Sequence, residues 1–147
     1  MERNGFGRPF RKQRGKREMK GETHWIIPDG FIPPESSGSL TSHEAICVLN
    51  CHEEDANLAI TVYFEDRPPL EGIPETVQGK RTKHIRTSSL QRAGERIPEN
   101  VPYAIEIASD VPVIVQYSRL DTTQPELALM STMAYPLKTR GKGVHDE

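Results

Sequence analysis

Short β-prone segments separated by turn residues fill most of this chain, and they constrain its fold more than any other feature. From Thr23 onward, runs rich in Val, Ile, Tyr and Phe end at Pro, Gly, Asp or Ser, as strands joined by tight connections do. No helical segments alternate with these runs, so βαβ units are excluded. We predict an all-β fold, a small antiparallel β-sandwich or jelly-roll-like domain of about eight strands. The predicted strands are 24–27, 45–49, 58–64, 75–78, 81–87, 103–109, 113–120 and 128–135.

Charge is distributed unevenly along the 147 residues, whose net charge is −2. Residues 1–20 hold eight basic and two acidic side chains, whereas the rest of the chain has a net charge of −8. We interpret 1–20 as a basic disordered leader, 21–136 as the sandwich domain and 137–147 as a flexible tail. The leader is a solvated tail, an arm that contacts nucleic acid or an anionic membrane, or a mis-assigned start with translation beginning near Met19.

Two features indicate a cytoplasmic protein. The first twenty residues lack the apolar core of a signal peptide, and no run reaches the roughly 18 apolar residues of a membrane span. The chain also has only two cysteines, which suits a reducing compartment.

The stretch TSHEAICVLN, residues 41–50, places His43, Glu44 and Cys47 beside a hydrophobic run, and Cys51 follows. In an extended strand the two thiols lie about 13 Å apart, too far for a disulfide, which needs Cα atoms within about 7 Å. The chain has neither a CxxC pair nor a His-Glu-x-x-His motif, so we predict no metal site. Cys47 sits mid-strand among apolar neighbours, where a thiol is usually inert packing. We therefore predict that the protein is not an enzyme and uses no cofactor.

The stretch KRTKHIRT, residues 80–87, carries charge on both faces of a predicted strand. His84 and Arg86 share one face, and Arg81 and Ile85 share the other. One interpretation is an edge strand whose charges prevent aggregation. The alternative is a strand with one face on a polar cavity or a subunit interface, where His84 and Arg86 hold an anion or a polyhydroxylated ligand.

A third stretch becomes polar after an apolar start, at Gln116, Arg119 and Asp121, with Glu126 in the following loop. Burying such groups is costly unless they pair with one another or with a ligand. An ion pair of Arg119 with Asp121 or Glu126 would organise the loop, and ligand binding is the alternative.

Taken together and in this order, these stretches resemble the sensory rhodopsin transducer family. The resemblance covers residues 23–136, nearly all of the predicted domain, without a large gap. It rests on Trp25 with Gly30-Phe31-Ile32-Pro33-Pro34, Ser42-His43-Glu44 with Cys47-Val48-Leu49-Asn50, Asp55-Ala56, Ile60-Thr61-Val62-Tyr63, the RTKHIR segment at 81–86, and Gln116, Arg119-Leu120-Asp121, Gln124, Glu126, Ala128-Leu129, Ser131-Thr132 and Ala134-Tyr135.

The resemblance implies an all-β sandwich that forms a homo-oligomer, a tetramer, and it implies no catalytic reaction. The family takes its name from a soluble partner that relays the light signal of a membrane-bound microbial rhodopsin. Relatives also occur where no rhodopsin is expected, and the fold has been proposed to bind small molecules such as sugars. We therefore expect a cytoplasmic signalling protein that binds a small polar ligand, sugar-like or anionic, and relays it through protein contacts. The alternatives are a partner of a membrane rhodopsin and a DNA-associated regulator, which the acidic domain disfavours.

The candidate ligand-binding residues are the polar side chains of these stretches and one tryptophan. In this hypothesis the arginines supply fork-shaped donors, the histidines further donors and the tryptophan an apolar platform. Alternatively, the same polar residues form the subunit interface. The candidates are Trp25, His43, Glu44, Arg81, His84, Arg86, Gln116, Arg119, Asp121 and Glu126.

Overall fold

The structure is a computed structural model that describes residues 18–138, so most of the predicted leader and tail lie outside the described residues. The described part contains ten strands and one short 3-10 helix, Thr87–Ser89. The predicted antiparallel all-β fold is confirmed. The strands are β1 Glu22–Phe31, β2 His43–Asn50, β3 Ala56–Phe64, β4 Leu70–Val77, β5 Arg81–Arg86, β6 Gln91–Arg92, β7 Glu95–Arg96, β8 Pro102–Asp121, β9 Ala128–Met133 and β10 Tyr135–Pro136.

The long strand β8 belongs to both layers of the fold. Its first half pairs with β1 and β3, which places Ile107 opposite both Trp25 and Ile60. Its second half pairs with β2 and β9, which places Gln116 opposite Cys47 and Met133. The first layer therefore has the order β10-β1-β8-β3-β4, and the second has the order β9-β8-β2-β5. All of these pairs are antiparallel.

The prediction of two separate strands at 103–109 and 113–120 is wrong, because β8 is continuous. Residues 110–112 contain Pro112, which cannot donate a backbone hydrogen bond and is usually found where a ladder ends. Here the backbone stays extended through this segment, and the strand exchanges one pair of neighbours for the other. The break in the sequence pattern therefore marks the passage between layers and not a turn.

One apolar core lies between the layers, built from alternate residues of each strand. β2 contributes Ile46 and Val48, and β8 contributes residues from both of its halves. Trp25 also lies in this core, and its ring Nε1 donates hydrogen bonds to the carbonyls of Val113, at 3.0 Å, and Glu22, at 3.1 Å. Its indole, only 5% exposed, ties β1 to β8.

β1 continues through Pro28-Asp29-Gly30, where the sequence predicted a turn. Its pairing with β8 shifts in register between Ile27 and Gly30, so the strand bulges at this point. A Cβ atom on Gly30 would lie 2.4 Å from the ring of Tyr103, so only glycine lets this ring pack against the strand. The bulge leaves the Asp29 side chain exposed at the surface.

β5 pairs only with β2 among residues 18–138, so it is an edge of the sheet, as one interpretation of its charged sequence predicted. The predicted alternation is also correct, because Ile85 is buried while His84 and Arg86 are exposed. Charged side chains on such a strand hinder pairing with a further chain.

Candidate functional site

The centre of the candidate site is the carboxylate of Glu44, which is only 1% exposed. Its Oε1 accepts hydrogen bonds from the Phe31 backbone N–H at 2.7 Å and from Arg119 Nε at 2.9 Å. Its other oxygen accepts a hydrogen bond from the Tyr103 hydroxyl. A buried carboxylate is tolerated when a cation and hydrogen bonds compensate its charge, and all of these are present here.

Two tyrosines and a threonine complete this network, which we call the Glu44 cluster. Tyr103 shares a hydrogen bond of 2.9 Å with the Thr87 hydroxyl, and the Arg119 guanidinium donates to the Tyr117 hydroxyl at 3.4 Å. Burial, followed by the charge of Glu44, raises the pKa of Tyr103 far above its ordinary value. Burial and the neighbouring carboxylate of Glu44 raise the pKa of Tyr117 as well. Both phenols therefore keep their protons at neutral pH.

Arg119 connects the buried cluster to the surface. Its side chain is 25% exposed, and an Nη atom lies 3.8 Å from the carboxylate of Asp29 on the β1 bulge. Burial by itself lowers the pKa of Arg119, but the Tyr117 hydroxyl and the Glu44 carboxylate raise it overall. The guanidinium is therefore a permanent cation between one buried and one exposed carboxylate.

The predicted ion pair of Arg119 with Asp121 or Glu126 is wrong. The pairing of β2 with β8 places Glu44 directly opposite Arg119 on the inner face of the second layer. Asp121 instead accepts hydrogen bonds from the Thr123 backbone N–H and hydroxyl, at 2.9 and 2.7 Å. Glu126 is exposed in the loop before β9.

Asp29 lines two clefts. One, of about 290 Å³, is bordered by aromatic and acidic side chains that include Tyr63, Phe64 and Glu65. The other, of about 170 Å³, is mainly apolar and lies between β1 and β9. The second cleft is lined by Ile27, Pro28, Asp29, Tyr117, Met130, Thr132, Met133 and Ala134.

Four of the predicted site residues lie on the opposite side of the second layer, which we call the outer face. The register puts His84 beside Cys47 and Gln116 in one row, and Arg86 in the next row. Because neighbouring residues of a strand point to opposite faces, His43 belongs to this face and Glu44 to the core. These two candidate residues therefore share neither one polar site nor one interface. The outer face consists of His43, Ala45, Cys47, Leu49, Thr82, His84, Arg86, Ile114, Gln116, Ser118, Leu120, Leu129, Ser131 and Met133.

Cys47, which was predicted to be packing, does not pack in the core of this chain. Ile46 and Val48 fill the core, while Cys47 between them is partly exposed on the outer face. Cys51 is partly exposed as well, and both thiols are free.

The ten predicted site residues thus do not form one site. The structure brings Glu44 and Arg119 together, and it places Trp25 in the core. Arg81 lies exposed at the start of β5, where its guanidinium donates to the carbonyl of Lys80 at 3.1 Å. Sequence reasoning missed four residues of this region: Asp29, Thr87, Tyr103 and Tyr117.

The described residues contain no group of three His, Cys, Asp or Glu side chains arranged to hold a metal ion. Among residues 18–138 we also find no helix of the length and apolar character needed to cross a membrane.

Comparison with known proteins places the chain in a family. Residues 20–136 match the family model of the Anabaena sensory rhodopsin transducer. The crystal structure of Thermotoga maritima 1070 is 37% identical and covers 81% of this chain and 97% of its own, with a TM-score of 0.72. The structure of the Anabaena sensory rhodopsin transducer is 40% identical and covers 71% of this chain and 92% of its own, with a TM-score of 0.64. No curated protein sequence matches the chain. With the family model spanning nearly the whole described chain, this protein belongs to the family of the Anabaena sensory rhodopsin transducer.

Proposed function

We propose that the protein is a non-enzymatic cytoplasmic signalling module, which binds a small polar ligand, sugar-like or anionic, and relays that event through protein contacts. Membership of a transducer family supports the signalling role. The observation that carries the relay through contacts is the character of the outer face. His84 and Arg86 are exposed on the sheet surface, where the register places them beside Cys47 and Ala45. Mixed surfaces of this kind are typical of protein interfaces.

Apolar side chains are prominent on the outer face. The solvent side of an antiparallel sheet is usually polar, yet Leu49 is 41% exposed and Leu129 is 76% exposed, in different rows of this face. Covering them with another chain would remove apolar area from water, which favours association. We propose that the occupant is a second copy of this chain, in a tetramer, and that His84, Arg86, His43 and Gln116 fix the orientation of the contact.

The test is the mass of the protein in solution. By sedimentation velocity, the wild-type chain should be an oligomer at tens of micromolar, and the double substitution Leu49→Glu/Leu129→Glu should give monomers, because it buries two charges in the contact. Tyr135→Glu is the matched control, since the exposure of Tyr135 lies between those of Leu49 and Leu129 but the residue belongs to the first layer. A monomeric wild-type protein, or a double variant of unchanged mass, contradicts the proposal.

A second candidate function is partnership with a membrane rhodopsin. It is favoured by the 40% identity to a protein described as a sensory rhodopsin transducer. The net charge of −8 beyond residue 20 would attract a basic cytoplasmic surface, with binding that weakens as salt rises. A source genome without any retinal protein would remove this candidate. The DNA-associated alternative rests on the basic leader alone, and the acidic domain disfavours it.

Ligand binding has separate support in the two clefts beside Asp29. Ligand sites are usually concave and mainly apolar, with a few polar groups that orient the ligand. The cleft between β1 and β9 has this composition. Its lining residues include Tyr117, which belongs to the Glu44 cluster, and Asp29, which lies 3.8 Å from Arg119 of that cluster. A ligand there would contact groups that connect the surface to the core.

A further inference from the structure

We infer that the cleft between β1 and β9 binds a small organic amine, with the ammonium group at Asp29 and the apolar body inside the cleft. This inference rests on the proposed function, in which the protein binds a small ligand. It keeps the role of small-ligand binding but replaces the sugar-like or anionic ligand of that proposal with a cation that carries an apolar body.

The shape of the cleft sets the size of the ligand. Ile27 of the first layer forms one wall, and Met130 and Thr132 of the second layer form the other. Ala134, between β9 and β10, also lines the cleft, and its N–H donates to the Val115 carbonyl at 3.1 Å. The cleft volume is about 170 Å³. An apolar cavity of about 150 Å³ can hold benzene, so this cleft has room for a body of one six-membered ring.

The charges beside the cleft favour one sign for the charge of the ligand. Three ionised groups lie in contact there: Glu44 and Asp29 are negative, and Arg119 is positive, which gives a local charge of −1. An ammonium ion would neutralise this local charge, whereas a carboxylate would make the local charge −2. Arg119 does not repel the ammonium strongly, because its own charge is compensated by Glu44 at 2.9 Å.

Asp29 is free to accept the ammonium ion. Its side chain is 82% exposed, and its distance of 3.8 Å to Arg119 exceeds that of a hydrogen bond. No hydrogen bond to its carboxylate comes from residues 18–138. The sulfur of Met130 and the apolar side chain of Ile27 suit an aromatic body.

Benzylamine is the probe for this site, with benzyl alcohol and benzoate as isosteres that are neutral and negative. In a titration at pH 7 followed by the amide chemical shifts of the protein, benzylamine should bind most tightly of the three. The amides whose shifts change should lie in β1 and β9. Asp29→Asn should weaken benzylamine by about 1.5- to 5-fold, the range of an exposed ion pair, and leave benzyl alcohol unchanged. Thr132→Phe, which fills the cleft from an exposed position, should abolish binding of both. Glu65→Gln in the neighbouring cleft is the matched control and should change neither.

The inference is overturned if benzoate binds as tightly as benzylamine, or if Thr132→Phe leaves benzylamine binding intact. A thermal-unfolding panel of amines, sugars, sugar phosphates and nucleotides separates this failure from that of the proposed function. Stabilisation by a sugar or nucleotide but not by an amine overturns the inference and leaves the proposed function standing. No stabilisation by any member overturns both.

Discussion

Replacing Arg119 with Met should lower the free energy of unfolding by about 3–5 kcal/mol, the usual cost of breaking a buried ion pair from one side. The substitution keeps most of the side-chain volume but leaves the carboxylate of Glu44, only 1% exposed, without its cation. The remaining donors, Phe31 N–H and the Tyr103 hydroxyl, satisfy its hydrogen bonds but not its charge. Urea denaturation measures the loss.

A double-mutant cycle separates this charge effect from lost packing. Glu44→Gln/Arg119→Met removes both charges, so it should be more stable than Arg119→Met alone, with a coupling energy of about 1–3 kcal/mol. Lys83→Met is the matched control, because Lys83 forms an ion pair of 2.7 Å with Glu75 near the surface, where such pairs contribute about 0–1 kcal/mol. If Arg119→Met costs no more than Lys83→Met, the charge of Arg119 does not compensate the buried carboxylate of Glu44.

Replacing Ile107 with Ala should cost about 2–5 kcal/mol, the usual range for an apolar side chain of this size in a packed core. Ile107 is fully buried in a row of side chains that crosses four strands of the first layer. The row is Trp25, Ile107, Ile60 and Ile73, so a cavity at its second position removes contacts on both sides. Thermal or urea unfolding reports the change.

Ile26→Ala is the control for this prediction. Ile26 is next to Trp25 in β1 but faces the other side of the layer and is only partly buried, so its truncation should cost clearly less. Equal losses for the two substitutions would mean that the core does not lie between the layers in this register.

The fold class and the side-chain alternation could be predicted from sequence, because both depend on local patterns. The period of two in the 81–86 segment correctly placed Ile85 inside and His84 and Arg86 outside. The continuity of β8 could not be predicted, because Pro112 is a strand-breaking residue in isolation. At that position the backbone stays extended while the strand exchanges its neighbours between the layers.

The Glu44 cluster was predicted only in part. Arg119 was recognised as a polar group that needs a partner, and Glu44 as a candidate ligand-binding residue. Their pairing depends on the register between β2 and β8, which are far apart in sequence. Tyr117 was within reach of prediction, since it lies two residues before Arg119 and must share its face. Tyr103 was not, because a tyrosine in an apolar strand looks like any other core residue. The role of Asp29 could not be predicted, because Pro28-Asp29-Gly30 is typical of a turn, whereas here it forms a bulge within β1.

On the outer face, the sequence pattern predicts a covered surface that the single chain leaves exposed. Ala45, Cys47 and Leu49 make β2 apolar on both sides, and such a strand is expected to be covered on both faces. Within the described chain only the inner face is covered, so Leu49 remains exposed. If a second copy covers the outer face, the expectation of two covered faces is met by the assembly and not by the single chain.

Cys47 provides the most direct measurement of this central proposal, because its thiol lies on the outer face between His84 and Gln116. In a Cys51→Ser background, the rate of alkylation by iodoacetamide should fall as the protein concentration rises and the face becomes covered. The rate should return to its dilute value in the Leu49→Glu/Leu129→Glu variant at every concentration. Equal alkylation rates at all concentrations, in both proteins, would show that the outer face stays open to solvent and would contradict the account.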